Sequence, residues 1–170
     1  TPANPRPAAP ILMEGDLKIA SMNVLNYFTT IDTGTWICGP SGDMECRGAD
    51  NAEELSRQRA KILAALSTMD ADVVGLIEIE NDRPNQTPDY AVADLVAGLN
   101  DLLGAGTYDY IPTGAIGTDA IKVAMIYQPG NVTPFGLHAI LDTSVDGRVL
   151  DDDNRPVLAQ SCTDNSVEET

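Results

Sequence analysis

Two apolar segments separated by an amphipathic one constrain the fold more than any other feature of the chain. Residues 17–23 and 72–79 each have the length and apolar character of a strand that is buried on both faces. Between them, apolar residues recur at helical spacing, at Leu55, Ile62, Leu63, Leu66 and Met69. A strand, helix and strand in this order form a right-handed crossover between parallel strands. The sequence therefore predicts an α/β fold in which both strands end at the same edge of a sheet.

The rest of the chain predicts a second helix and several short strands. The first helix is expected to begin at Asp50, with Glu53 reaching back from the third position as in a capping box. The second is expected to begin at Thr87 and Pro88, because proline suits a first helical position. A loop is predicted between the first strand and first helix, and an antiparallel meander over 108–112, 121–127, 131–139 and 156–162.

Length and hydropathy favour one globular domain. The chain has 170 residues, which suffice for a single core. Proline recurs through the first ten residues, so we expect residues 1–16 to be a Pro-rich linker and 17–170 to form the domain. No apolar run reaches the length of a membrane span, and we expect none.

The charge balance narrows the ways in which the protein can bind a polyanion. The chain carries 26 Asp and Glu residues against 10 Lys and Arg residues, a net charge of −16. Sequence-independent binding of nucleic acid by a broad basic face neutralises phosphates, and this composition does not provide such a face. A polyanionic substrate would need a few local cations, a bound metal ion or high ambient salt.

The cysteines indicate an oxidising compartment. Cys38 and Cys46 lie in a Gly-rich segment without regular periodicity, and a disulfide between them is the favoured interpretation over two free thiols. Cys162 is left without a partner in the sequence. A zinc site is not expected, since His138 is the only histidine and no further cysteine pair exists.

Polar side chains follow both predicted buried strands. Glu78 and Glu80 end the second strand and Asn23 ends the first, so the crossover should bring Asn23 and Glu78 together. Carboxylate and amide oxygens suit Mg²⁺, which often uses only one or two protein carboxylates and keeps several waters. The alternatives are a solvated carboxylate at Glu78 and ordinary turn chemistry at Asn23.

Four further residues are candidates for substrate contact or for structure. Arg155 carries a guanidinium that fits phosphate oxygens, although its acidic neighbours also permit a structural ion pair. Asp119 and Lys122 flank a predicted strand start, where substrate contact and turn chemistry are both open. His138 has no neighbour in sequence that would make it a general base, so we expect a structural role.

Several of these segments resemble the endonuclease/exonuclease/phosphatase superfamily of DNase I-like, metal-dependent nucleases. LKIASMNVLN (17–26) resembles its opening strand, DVVGLIE (72–78) its second strand, and NRPVLAQ (154–160) a segment with a phosphate-contacting arginine. ECRGAD (45–50) and GTDAIK (117–122) are similar to secreted bacterial nucleases of the ExeM-like kind.

The resemblance implies a fold, a reaction and a set of roles. The fold would be a four-layer α/β/β/α sandwich with two facing mixed sheets. The protein would be an extracellular enzyme that hydrolyses phosphodiester bonds of DNA, or of RNA, with Mg²⁺ (or Mn²⁺ or Ca²⁺). Glu78 and Asn23 would bind the metal ion, Asn23, Glu78 and Asp119 would line the catalytic site, and Arg155 and Lys122 would contact the substrate.

The family pattern also includes later motifs that these residues do not contain. They are a strand ending in a catalytic histidine, a Gly-Asp-Phe-Asn-like segment and a terminal Asp-His pair. We therefore expect the N-terminal half of a truncated catalytic domain, which is inactive alone and lacks a C-terminal half as partner. The alternatives are a phosphoesterase on nucleotides or lipids, and a non-catalytic secreted binding module.

Overall fold

The computed structural model describes residues 15–149 and 154–167. Residues 1–14 of the predicted linker lie outside these ranges. The elements are β1 (Ile19–Tyr27), β2 (Trp36–Cys38), β3 (Met44–Glu45), α1 (Ala52–Met69), β4 (Val73–Glu80), α2 (Tyr90–Leu103), β5 (Asp109–Tyr110), β6 (Ile121–Tyr127), β7 (Val132–Leu141) and β8 (Val157–Asp164). The predicted α/β class is therefore confirmed.

A mixed four-stranded sheet organises the molecule. Its strand order is β1-β4-β6-β5. β1 and β4 run parallel and are connected through α1, as the sequence predicts, whereas β6 runs antiparallel to both of its neighbours. β2 and β3 form a small hairpin inside the predicted loop, and β7 and β8 form a separate antiparallel pair. The crossover thus brings the ends of β1 and β4 to one edge of the sheet.

Both helices pack on one face of this sheet. The core contains Val74, Leu76 and Ile79 of β4 and the apolar stripes of the helices. Removing such side chains from water is the main force that stabilises this layer. The buried stripe of α2 ends before Leu102 and Leu103, which are exposed. The fully buried helix residues of the core are Ile62, Leu63, Leu66, Ala91, Val92, Leu95, Val96 and Leu99.

The N-cap of α1 lies one residue after the predicted position, and that of α2 lies two residues after it. The N-cap of α1 is Asn51, whose side chain accepts a hydrogen bond from the Glu54 backbone N–H at 2.9 Å. The Glu54 carboxylate accepts from the Asp50 N–H at 3.2 Å, so the capping pair is shifted by one position. α2 begins only after Asp89, which has φ 57° and makes no side-chain cap.

The disulfide prediction is confirmed. Cys38 and Cys46 are bonded with an S–S distance of 2.11 Å, and both are buried against Phe28. Cys162 is free and exposed on β8. Within the described residues, no helix is long and apolar enough to cross a membrane.

Candidate functional site

Glu78 sits on a β-bulge. Ile77 pairs with Val123 of β6 and Ile79 pairs with Lys122, so two steps along β4 oppose one step along β6. Glu78 is the extra residue, and its φ of 64° lies in the left-handed region that side chains other than glycine rarely adopt. Its half-buried carboxylate forms no hydrogen bond or ion pair with any described residue. The fold therefore holds a partner-free carboxylate in a strained backbone conformation.

The end of β1 is irregular at the same level of the sheet. Asn23 pairs with Ile77 and Tyr27 pairs with Ile79, so β1 carries two extra residues where β4 carries the bulge. Leu25 and Asn26 have φ of 58° and 51°. The predicted convergence of Asn23 with the Glu78 segment is thus present in the strand register.

Gln58 of α1 stabilises this irregular backbone. Its amide nitrogen donates to the carbonyl of Leu25 at 2.8 Å and lies 3.3 Å and 3.5 Å from those of Val24 and Asn26. Carbonyls that a regular strand would pair are thereby satisfied by a side chain. The geometry of Asn23 and its neighbours therefore depends on α1.

The hydrogen bonding of Asn23 favours a donor role. Its Oδ1 accepts a hydrogen bond from the Leu25 N–H at 2.8 Å. Because only the amide oxygen can accept from an N–H, the NH₂ group of this exposed side chain is left to donate. No described residue accepts from it. This arrangement suits contact with a phosphate oxygen, while the second lone pair of Oδ1 leaves the predicted metal ligation open.

Glu80 has a structural role, in contrast to Glu78. It is 2% exposed. Its carboxylate accepts from the Thr29 N–H and hydroxyl, both at 2.8 Å, and from the N–H and hydroxyl of Thr30. Charge-assisted bonds of this kind are among the stronger hydrogen bonds in proteins. Glu80 therefore fixes the chain that follows β1.

Asp119 lies between two arginines. Arg47 Nη2 is 2.9 Å from Asp119 Oδ1, and Arg155 Nη2 is 3.5 Å from Asp119 Oδ2. The three side chains are partly exposed. Asp119 thus positions two guanidinium groups, while Arg155 keeps a solvent-accessible head that can meet an anion.

Lys122 does not join these residues. It is 1% exposed, and its amine lies 2.6 Å from Asp89 Oδ1, 2.6 Å from the Gly114 carbonyl and 3.6 Å from Asp82 Oδ2. This arrangement leaves no free donor for the predicted substrate contact, because the charge is already compensated inside the protein. His138 lies on β7, in the separate hairpin.

A cleft of about 620 Å³ opens beside Asn23. Its walls are the end of β1, the segment after the disulfide and one face of α1. Three cations, Arg47, Arg57 and Lys61, line it together with Glu54. The sequence did not single out Arg47. The only feature that could have indicated Arg47 was its position directly after Cys46. Arg57 and Lys61 have the spacing of an ordinary solvated helix face, so the sequence does not distinguish them from other surface residues.

The donor set at Glu78 is compatible with a hard divalent cation. Among residues 15–149 and 154–167, no group of three or more His, Cys, Asp and Glu side chains is gathered closely enough to hold a metal ion. Mg²⁺ often uses only one or two protein carboxylates, and the free Glu78 carboxylate is a group of this chemical type.

The strand register places the Glu78 carboxylate and the Asn23 amide at neighbouring strand ends, and the Arg155 guanidinium is paired with Asp119 just before β6. Oxygen ligands, amide donors and guanidinium groups are the types that bind cations and phosphates. Comparison with family models, with curated proteins and with solved structures found no match to this chain.

Proposed function

We propose that this chain provides the metal- and phosphate-binding part of a phosphodiesterase site that acts on DNA or RNA. The observation that carries the proposal is Glu78. A carboxylate without a described partner, held at positive φ on a bulge, is unfavourable for stability and is typical of functional positions. The resemblance to DNase I-like nucleases assigns the same residue to metal binding.

In this proposal, each residue of the site binds either the metal ion or the phosphate. Glu78 would hold a divalent cation, which when bound polarises a phosphoryl oxygen and stabilises the leaving oxygen. The Asn23 amide would donate to a phosphate oxygen, and Arg155 would orient the phosphate with its guanidinium. Asp119 would keep Arg155 in place through their 3.5 Å ion pair.

The proposal includes a second half of the site. The resemblance calls for a catalytic histidine and later aspartates, and the only histidine of the 170 residues lies in the β7–β8 hairpin. We propose that these groups come from a C-terminal half, and that the 170 residues alone do not hydrolyse DNA. The buried disulfide supports an oxidising, extracellular setting.

The test compares two glutamates of the same strand in a protein that carries both halves. With plasmid DNA and Mg²⁺, Glu78→Gln should lower the hydrolysis rate by more than about 100-fold, since loss even of outer-shell groups at metal sites costs 10–100-fold. The melting temperature of this variant should stay close to that of the wild type.

Glu80→Gln is the matched control. It weakens the hydrogen bonds to Thr29 and Thr30 and should lower stability by about 1–3 kcal/mol. Unchanged hydrolysis by Glu78→Gln would contradict the proposal and favour a non-catalytic binding module. Hydrolysis of nucleotides or phospholipids in place of DNA would redirect it to the phosphoesterase alternative.

A further inference from the structure

We propose that the cleft between α1 and the end of β1 binds a second phosphate of the same nucleic-acid strand, away from the phosphate that is cleaved. The inference rests on the proposed function, because it takes the substrate to be a phosphodiester. It adds the place of a second contact, which a polynucleotide strand can make and a small ester with a single phosphate cannot.

The distribution of charge points to this cleft. The chain has only 10 Lys and Arg residues and a net charge of −16. Three of these cations, Arg47, Arg57 and Lys61, line one cleft with a single carboxylate, Glu54. That carboxylate is engaged by the Asp50 N–H at 3.2 Å. The cleft thus gathers three of the ten cations of an acidic protein. Arg47 and Arg57 are paired there with Asp119 and Glu53, and a polyanion would compete with these carboxylates for them.

Arg57 and Lys61 are free to meet a phosphate. They are four residues apart on α1, so they lie one turn and about 6 Å apart along the helix axis. Arg57 is paired with Glu53 at 3.0 Å, but both side chains are largely exposed and such pairs contribute only about 0–1 kcal/mol. Lys61 has no ion pair with any described residue. A phosphate can therefore recruit both cations at little energetic cost.

The cleft is connected to the proposed catalytic residues. Asn23 lines the cleft and pairs in register with Ile77, directly before Glu78. Arg47 lines the cleft and shares Asp119 with Arg155. A strand that contacts Asn23 in the cleft can thus extend along α1 towards Arg57 and Lys61.

The lining also indicates how the strand is recognised. None of the described lining residues is aromatic, so the cleft offers no surface for base stacking. Lys and Arg side chains that contact phosphates give affinity without sequence information. The second site should therefore bind a strand of any sequence, with an affinity that depends strongly on salt.

The experiment measures binding without catalysis. A fluorescein-labelled single-stranded oligodeoxynucleotide is titrated with the purified chain in EDTA over a range of salt concentrations, and Kd is obtained from anisotropy. For Arg57→Gln/Lys61→Gln we expect affinity at low salt to fall roughly tenfold. The slope of log K against log salt should become shallower by about 0.7 for each lost contact, so by about 1.4 in all.

Two controls define the result. Arg148→Gln removes an exposed arginine that is paired with Asp146 outside the cleft, and its slope should equal that of the wild type. Competition by a mononucleotide should be weak and should not change in the double variant. A thermal melt of each variant verifies that it is folded.

The binding experiment can contradict the second phosphate site without contradicting the proposed hydrolysis, and the reverse also holds. An unchanged salt slope in the double variant overturns the second phosphate site, even if Glu78→Gln abolishes hydrolysis. A slope that changes as expected supports the site, even if no hydrolysis is found. If anionic lipid vesicles bind through Arg57 and Lys61 and the oligonucleotide does not, the inference is also overturned.

Discussion

Glu78 occupies a backbone conformation that its own side chain disfavours. A left-handed φ costs a residue with a Cβ about 1–2 kcal/mol, and no described contact of the carboxylate offsets this cost. Glycine has no such penalty. Strain at a residue without local partners is expected where function, rather than stability, selects the side chain.

Because Glu78 is strained, we expect Glu78→Gly to stabilise the protein. The free energy of unfolding should rise by about 1 kcal/mol, because glycine adopts positive φ without steric strain. The measurement is urea denaturation, with a higher midpoint at an unchanged m-value. Glu53→Gly in the exposed first turn of α1 is the control and should destabilise by up to about 1 kcal/mol. A lower midpoint for Glu78→Gly would contradict the interpretation of strain.

At the level of the elements, one cluster of polar side chains connects three of them. Tyr27 of β1 donates its hydroxyl to Asp94 of α2, and Arg59 of α1 binds the same carboxylate at 2.7 Å and the Asp94 carbonyl at 2.9 Å. Burial, and then the hydrogen bond to Asp94, raise the pKa of the Tyr27 hydroxyl above its ordinary value. The cluster holds both helices against the end of β1.

The raised pKa predicts a loss of stability in alkali. An unfolded tyrosine releases its proton near pH 10, whereas the folded protein retains the proton on Tyr27 at higher pH. The folded state therefore binds more protons above about pH 10, and stability falls as pH rises. Tyr27→Phe should be less stable at neutral pH by about 1 kcal/mol, the net value of one hydrogen bond.

The measurement is the unfolding free energy at neutral pH and above pH 10. Tyr27→Phe should show a shallower alkaline decline than wild type. Part of the decline should remain, since burial also raises the pKa of Tyr108, Tyr110 and Tyr127. Tyr90→Phe, at an exposed position, controls for loss of a hydroxyl. An identical alkaline decline in Tyr27→Phe and wild type would contradict the assignment.

The elements also show which features a sequence can predict. The parallel crossover was predictable from a local pattern, the periodicity of apolar residues. The Cys38–Cys46 disulfide was predictable because both cysteines lie in one short Gly-rich segment without periodicity. Lys122 was not predictable as a buried residue. Its partners Asp89 and Asp82 lie 33 and 40 positions earlier, and only the packing of β6 against the start of α2 brings them together.

At the level of the whole molecule, the β7–β8 hairpin carries several exposed apolar side chains. Phe135 is 72% exposed, Leu137 95% and Val157 53%. β7 carries no Asp, Glu, Lys or Arg, whereas the chain as a whole has a net charge of −16. Contact through this hairpin therefore avoids most of the like-charge repulsion that keeps acidic proteins apart.

We expect the purified chain to self-associate or to be poorly soluble. Light scattering should give a mass above that of the monomer, and the mass should rise with protein concentration. Phe135→Ser/Leu137→Ser should shift the distribution towards monomer, because it removes the two most exposed apolar side chains of this hairpin. Leu102→Ser, which removes an exposed leucine on α2, is the control. A monomeric wild type at high concentration would contradict the prediction.

The bulge at Glu78 also changes which positions of β4 face the core. Before the bulge, the even-numbered Val74 and Leu76 are buried and the odd-numbered Ile77 is exposed. After the bulge, the odd-numbered Ile79 is buried. The alternating letters of Ile77-Glu78-Ile79-Glu80 suggest one face for both glutamates, yet the extra residue gives them different surroundings. Deleting Glu78 would restore regular alternation and leave Ile79 and Glu80 on their present faces, because the residue removed is the one that has no partner on β6. The spacing of this tetrapeptide, as much as its composition, therefore determines which glutamate is available for chemistry.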